Sequence, residues 1–211
     1  MVSLAIITAR KNSKRLKNKN KKILGSKPLV SWTIDFAKNM KIFNHILITT
    51  DDNDIIKIAK KKKILAPWLR PKKLALDNTS SYKTVIHALK WYEKKYSKVD
   101  CVFLLQPTSP FRSKKILLDA YKIFKKTNKS VISVMQILKK FEDPLLNRHE
   151  RIKVKNFYSP SGSFFLINPK ELRKYKTFIN KNNYLYLIAN DQLNIDIDNI
   201  KDWNLAKRYV N

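Results

Sequence analysis

The sequence predicts an α/β protein with a doubly wound, mostly parallel sheet. Three observations point there. Apolar runs alternate with amphipathic stretches of helical spacing, and the pairing recurs four times along the first two thirds of the chain. The runs LAIIT, ILITT, CVFLL and VISVM read as strands buried inside a sheet. With 211 residues, 44% of them hydrophobic, the chain can cover such a sheet with one sizeable core.

The elements follow in order. Leu4–Thr8 is a buried strand. Pro28–Lys38 is a helix, with Pro28 early, where its missing N–H is not needed, and Trp32, Ile34 and Phe36 nearby. Ile46–Thr50 is a strand and Asp54–Lys62 a helix. LAPWLRPKKLALDNTS, with two prolines, is an irregular connection. Ser81–Lys94 is a helix with Val85, Leu89 and Tyr92 at helical spacing, and Cys101–Leu105 is the next strand. Ser113 caps a helix carrying Ile116, Leu117, Ala120, Ile123 and Phe124, and Val131–Met135 is a strand. The polar stretch Leu138–Tyr158 breaks the rhythm and reads as an irregular arm or flap. Ser163–Ile167, Tyr184–Ile188 and Ile195–Ile197 return as short strands. A last helix places Ile200, Trp203, Ala206 and Val210 on one face. No repeat or linker divides residues 1–211, so one domain is expected.

Composition narrows the setting. The start of the chain is too short in apolar residues for a signal segment, and no run reaches the ~20 residues of a membrane span. The single cysteine, Cys101, sits in an apolar run and reads as a buried thiol, consistent with a cytoplasmic protein. The formal net charge is +29. Lysines lie at helix ends and turns rather than along one stripe. Solvated surface charge explains that pattern, and no nucleic-acid or membrane partner is expected. A small anionic substrate fits it equally well.

In a doubly wound sheet, ligands sit at the carboxyl ends of strands, so the loops after Ala9, Asp51, Gln106 and Gln136 are the places to look. The first, ARKNSKRLKNKN, carries six cations and no glycine. Its backbone N–H groups could face phosphates, with Asn12 taking the positive φ that glycine usually supplies. Arg10, Lys14 and Lys19 would add side-chain charge. The second constellation is NIDIDN. In a strand, Asp196 and Asp198 share a face, and two adjacent carboxylates suit Mg²⁺. The alternative is that Asp198 caps the helix near Asn199 while Asp196 faces water; spacing alone does not choose. The third is LLQPTSPFR, where Gln106 ends a strand and could bond sugar hydroxyls, or simply begin a turn. Arg70 and Ser80 are further nucleotide-binding candidates. His45, His87 and His149 lack ligand spacing.

Taken together, these stretches resemble the acylneuraminate cytidylyltransferases, the CMP-sialic acid synthetases. The opening IITARKNSKRLKNKNKKILGSKPLVSWTI is similar to that family's first motif through Ala9, Arg10, Asn12, Ser13, Lys14, Lys19, Asn20, Gly25, Pro28 and Leu29. ILITTDD, LRPKKLALDNTSS, VFLLQPTSPFRS, SGSFFLI and NIDIDNIKDW follow in the family's order. The resemblance implies a Rossmann-like fold and transfer of CMP from CTP to a sialic-type nonulosonic acid, releasing pyrophosphate. It implies that Arg10, Ser13, Lys14 and Lys19 steady the triphosphate, and that Asn20, Arg70 and Ser80 place the nucleotide. Gln106 contacts the sugar acid, and Asp196 and Asp198 hold Mg²⁺. Arg10, Lys19, Arg151 and Asp198 are then the catalytic set.

The chain also departs from the family. Lys11 and Asn12 stand where many members carry glycine, and Lys17 where proline is common. An ungapped count back from Gly162 puts the family's sugar-site arginine at Arg151, followed by Ile152 instead of Gln. The interface arm, which in the family completes the sugar pocket of a homodimer, is shortened. Pseudaminic, legionaminic or a modified eight-carbon ulosonic acid are alternative substrates. From another class, an inactive fold acting as a polyanion-binding module is the rival.

Overall fold

In the computed structural model, which describes residues 1–11, 13–76, 79–141 and 153–210, the chain opens with strand β1 (Ser3–Ala9). A short hairpin, β2 (Ile23–Leu24) and β3 (Lys27–Pro28), leads into helix α1 (Leu29–Lys38). There follow β4 (His45–Thr50), α2 (Asn53–Lys61), α3 (Ser81–Lys95), β5 (Cys101–Leu105) and α4 (Lys114–Thr127). Strands β6 (Val131–Phe141) and β7 (Lys153–Ile167), helix α5 (Pro169–Tyr175), strand β8 (Tyr184–Leu187) and helix α6 (Ile200–Lys207) complete it.

Six strands form one sheet in the order β4-β1-β5-β7-β6-β8. β1 pairs in parallel with β4 and β5, and β6 with β8. β7 is antiparallel to both β5 and β6, so it alone runs against the rest and the sheet is mostly parallel. Side chains alternate across it. Leu4 and Ile6 pack with Val85 and Leu89 of α3, while Ala5 and Ile7 pack with Ile34 of α1, Ile55 of α2 and Phe124 of α4. β5 is buried throughout. Covering one Leu, Ile or Phe contributes about 1.5–3 kcal/mol, against about 0–1 kcal/mol for an exposed ion pair. The two apolar layers, not the abundant lysines, therefore hold the sheet.

Local chemistry sets the helix boundaries. Asp52 caps α2 by accepting from the Asp54 N–H, and Ser113 caps α4 by accepting from the Ile116 N–H. Pro28 stands at the N-cap of α1. Burial pushes the Cys101 thiol up to about 12, as an inert core cysteine requires. Among the described residues no helix is long and apolar enough to cross a membrane.

Two expectations are corrected. The arm at 138–158 is not irregular where it is described: β6 runs on to Phe141 and pairs with β7 from Lys153. A ladder needs only backbone partners, so lysine-rich sequence can extend it. Ile195–Ile197 is not a strand. It is an extended segment after a short 3₁₀ turn, Gln192–Asn194, and its apolar side chains enter a third cluster with Leu24, Leu29, Trp203 and Ala206.

Candidate active site

The carboxyl ends of β1 and β5 open onto a cavity of about 550 Å³. Such an edge presents loop backbone and side chains without a strand neighbour in the way. From β1 comes Thr8, from the loop just after it Arg10, and from beyond β5 come Gln106, Pro107 and Thr108. Arg70 reaches in from the connection after α2.

The glycine-free loop after β1 is held by side chains. The Asn20 amide donates to the Arg10 carbonyl at 2.9 Å. The Lys11 N–H donates to Asp51 Oδ1 at 2.8 Å. Lys21 pairs with Asp52 at 3.2 Å and Asp54 at 2.8 Å. The positive φ is taken by Asn18, at 53°, just before the 3₁₀ turn Lys19–Lys21. Asparagine visits this region at lower cost than most residues. Asn12, the residue expected there, lies outside the described residues. Ser13, Lys14, Arg15 and Lys19 all line the cavity.

The opposite wall is acidic. The Ile197 N–H donates to the Thr108 carbonyl at 2.7 Å, docking the NIDIDN segment on the turn after β5. Ser109 Oγ donates to Asp196 Oδ1 at 3.3 Å. Gly162, at φ 75°, leaves room for this: a Cβ there would lie 2.7 Å from Ser109 Oγ and 3.4 Å from Asp196 Cγ. Burial raises the Asp196 carboxyl pKa, a hydrogen bond from Thr108 opposes the rise, and the Asp198 charge adds to it. Asp196 is exposed to the cavity by surface area; the protein packed around it does the desolvating.

Asp198 does not cap the last helix. Asn199 does, in a capping box with Asp202, whose Oδ2 also accepts from the Asp198 N–H at 2.8 Å. The Asp198 carboxylate is left to face Lys19 at 2.9 Å and Arg15 at 3.1 Å. Two carboxylates on one cavity, hard oxygen donors with cations opposite, fit Mg²⁺ by donor chemistry. Among the described residues no group of three or more His, Cys, Asp or Glu gathers, so such an ion would complete its shell with water and phosphate oxygens.

Arg70 is buried against the end of β4, its Nε donating to Thr49 Oγ1 at 3.2 Å and its Nη2 to the Thr49 carbonyl. Burial pushes its pKa down to about 10, with the Asp51 charge pulling upward and Arg10 downward. Ser80 occupies the N-cap of α3 without a side-chain cap bond; its neighbours Thr79 and Ser81, not Ser80, line the cavity. Arg151 lies outside the described residues. Sequence reasoning missed Arg15, Thr108 and Ser109. Arg15 was visible only as one of six cations in its loop, and nothing in the spacing singled it out.

A sequence profile of the Cytidylyltransferase family matches residues 4–195. The chain is 33% identical, over 98% of its length and 95% of theirs, to CMP-N,N'-diacetyllegionaminic acid synthase of Legionella pneumophila. It is 32% identical over 96% of its length to N-acylneuraminate cytidylyltransferase of Escherichia coli O18:K1:H7, of which it spans 51%. It is 30% identical to pseudaminic acid cytidylyltransferase of Campylobacter jejuni, covering 98% of this chain and 95% of that one. Among solved structures, CMP:2-keto-3-deoxy-manno-octonic acid synthetase complexed with CTP superposes with a TM-score of 0.70 at 12% identity, over 99% of this chain and 98% of that one. A 4-diphosphocytidyl-2C-methyl-D-erythritol synthase gives 0.71 at 11% identity, over 100% and 98%. At such identities these two establish the Rossmann-like fold alone. With a family profile matching residues 4–195 and relatives this similar along nearly its whole length, the chain belongs to the cytidylyltransferase family.

Proposed function

We propose that this protein transfers CMP from CTP to a sialic-type nonulosonic acid, releasing pyrophosphate. One observation carries the reading: the basic loop and the aspartate pair line one cavity and meet where Lys19 touches Asp198 at 2.9 Å. Arg10, Ser13, Lys14, Arg15 and Lys19 hold the triphosphate; Asn20 supports the loop, and Arg70 with Thr79 and Ser81 places the nucleotide. Gln106 faces the sugar acid. The anomeric hydroxyl attacks the α-phosphorus in line. A bond forms from that oxygen to phosphorus, the bond from phosphorus to the bridging oxygen of the β-phosphate breaks, pyrophosphate leaves, and the hydroxyl proton passes to water. Asp196 and Asp198 would hold Mg²⁺, which when bound offsets charge on the phosphate oxygens. Fixing both reactants in one cleft supplies much of the rest, as in other phosphoryl transfers. The relatives named for legionaminic, acylneuraminic and pseudaminic acids support the acid class.

The test is pyrophosphate release from CTP and Mg²⁺ with a panel of these acids and an eight-carbon ulosonic acid. Turnover with at least one is expected, and Asp198→Asn should lower it by about 10²-fold or more. No release with any acid, alongside salt-sensitive RNA binding, would overturn the proposal in favour of a polyanion-binding module.

A further inference from the structure

Arg112 is a buried cation that the reading above leaves without a role. Its Nε donates to the Ser163 carbonyl at 2.6 Å, its Nη1 to Thr33 Oγ1 at 2.9 Å, and its Nη2 to the Gln106 carbonyl. The guanidinium carbon lies 5.9 Å from the centre of the Phe36 ring. Among the described residues no carboxylate comes within ion-pair distance. The residue is half-buried by surface area, yet packed densely enough that burial pushes its pKa down to about 9 while the Asp196 charge pulls it up.

Enclosing a charge costs several kcal/mol unless hydrogen bonds offset it. Here neutral acceptors offset it, and their positions are informative. Gln106 is the cavity residue that follows β5. Ser163 follows Gly162, whose backbone lies against Ser109 and Asp196. Thr33 is fixed in the middle of α1. One planar fork thus ties the Gln106 wall and the Gly162–Asp196 wall to the same helix. A lysine has no such rigid fork, and an apolar residue would bind none of the three acceptors.

We propose that Arg112 is a positioning residue that fixes the spacing of the Gln106 and Asp196 walls, and through Asp196 controls how much a divalent cation strengthens CTP binding. This rests on the proposed CTP and Mg²⁺ site. Residues that orient metal-binding side chains typically account for about 10–100-fold in metal affinity.

The experiment is calorimetric titration of CTP into wild type, Arg112→Met, Arg112→Lys and Thr33→Val, each with MgCl₂ and with EDTA. In wild type, Mg²⁺ should tighten CTP binding. In Arg112→Met that gain should shrink by about tenfold or more, while binding in EDTA stays within about threefold, because the basic loop is untouched. Arg112→Lys should recover part of the gain. Thr33→Val, which removes one acceptor, should lose about two- to fourfold of it, and it carries the test if Arg112→Met does not fold. Equal losses with and without Mg²⁺, or an undiminished gain in both Arg112→Met and Thr33→Val, overturn the inference and leave the proposed function standing. If wild type binds no CTP at all, both fail together.

Discussion

Lys19 Nζ lies 2.9 Å from Asp198 Oδ1 and 2.6 Å from the Ile197 carbonyl, although 179 residues separate Lys19 from Asp198 in sequence. The lysine side chain is only 7% exposed. It is therefore both a wall of the cavity and the pin that holds the acidic segment against the basic loop. Lys19→Met should cut turnover by about 10²–10³-fold, the usual loss when one aimed cation or donor is removed. The fold should persist on its two apolar layers. Steady-state pyrophosphate release and a thermal melt check this; a normal rate would remove Lys19 from the site.

Gly162 lies where a side chain cannot be added without moving its neighbours. Alanine would face positive-φ strain of about 1–2 kcal/mol. Its Cβ would also stand 2.7 Å from Ser109 Oγ, and Ser109 is fully buried. Gly162→Ala should lower the urea midpoint and weaken Mg²⁺-supported CTP binding together, because Ser109 also bonds Asp196. An unchanged midpoint with normal binding would show that β7 relaxes freely at this point.

Asp35 on α1 joins Lys27 of the small hairpin, at 2.7 Å, and Lys62 beyond α2. Burial raises its pKa, but hydrogen bonds and charge from Lys27 and Lys62 outweigh that and hold the carboxyl below its ordinary 3.8. A depressed carboxylate stabilises the fold above its unfolded pKa, and the stabilisation is lost as pH falls through the lower folded value. Asp35→Asn should therefore cost about 1 kcal/mol at pH 7, and the difference should close only below about pH 4. Denaturant titrations of both proteins from pH 7 to 3 read this directly. A gap that is constant with pH would assign the loss to packing.

Sequence reasoning found β1, β4 and β5 because strands covered on both faces read as unbroken apolar runs. It found α4 because Ser113 is a cap residue before helical periodicity, and it placed α2 one residue late, at Asp54–Lys62 rather than Asn53–Lys61, without recognising Asp52 as its cap. The reversal of β7 was hidden: periodicity marks a strand but not its neighbours or direction. The extension of β6 and β7 was hidden behind KKF and KVKN, since ladder bonds use backbone that every residue owns. Ile195 and Ile197 misled because an apolar alternation buried under α6 looks like one buried in a sheet. Of the site, charged residue types were legible. What was not legible is which neutral groups aim them: Thr108 and Ser109 behind Asp196, and Asn199 relieving Asp198 of cap duty.

The order in which the site's two halves occur along the chain has a consequence for biosynthesis. Translation delivers the cationic loop first and its acidic complement 179 residues later. Contacts so distant in sequence close late, after local helices have formed. A nascent chain on the ribosome thus carries the basic loop before the two carboxylates that face it across the cavity. The cavity can acquire its acidic wall only when elongation has passed Asp198, so a product truncated before that point lacks the carboxylate that pins Lys19.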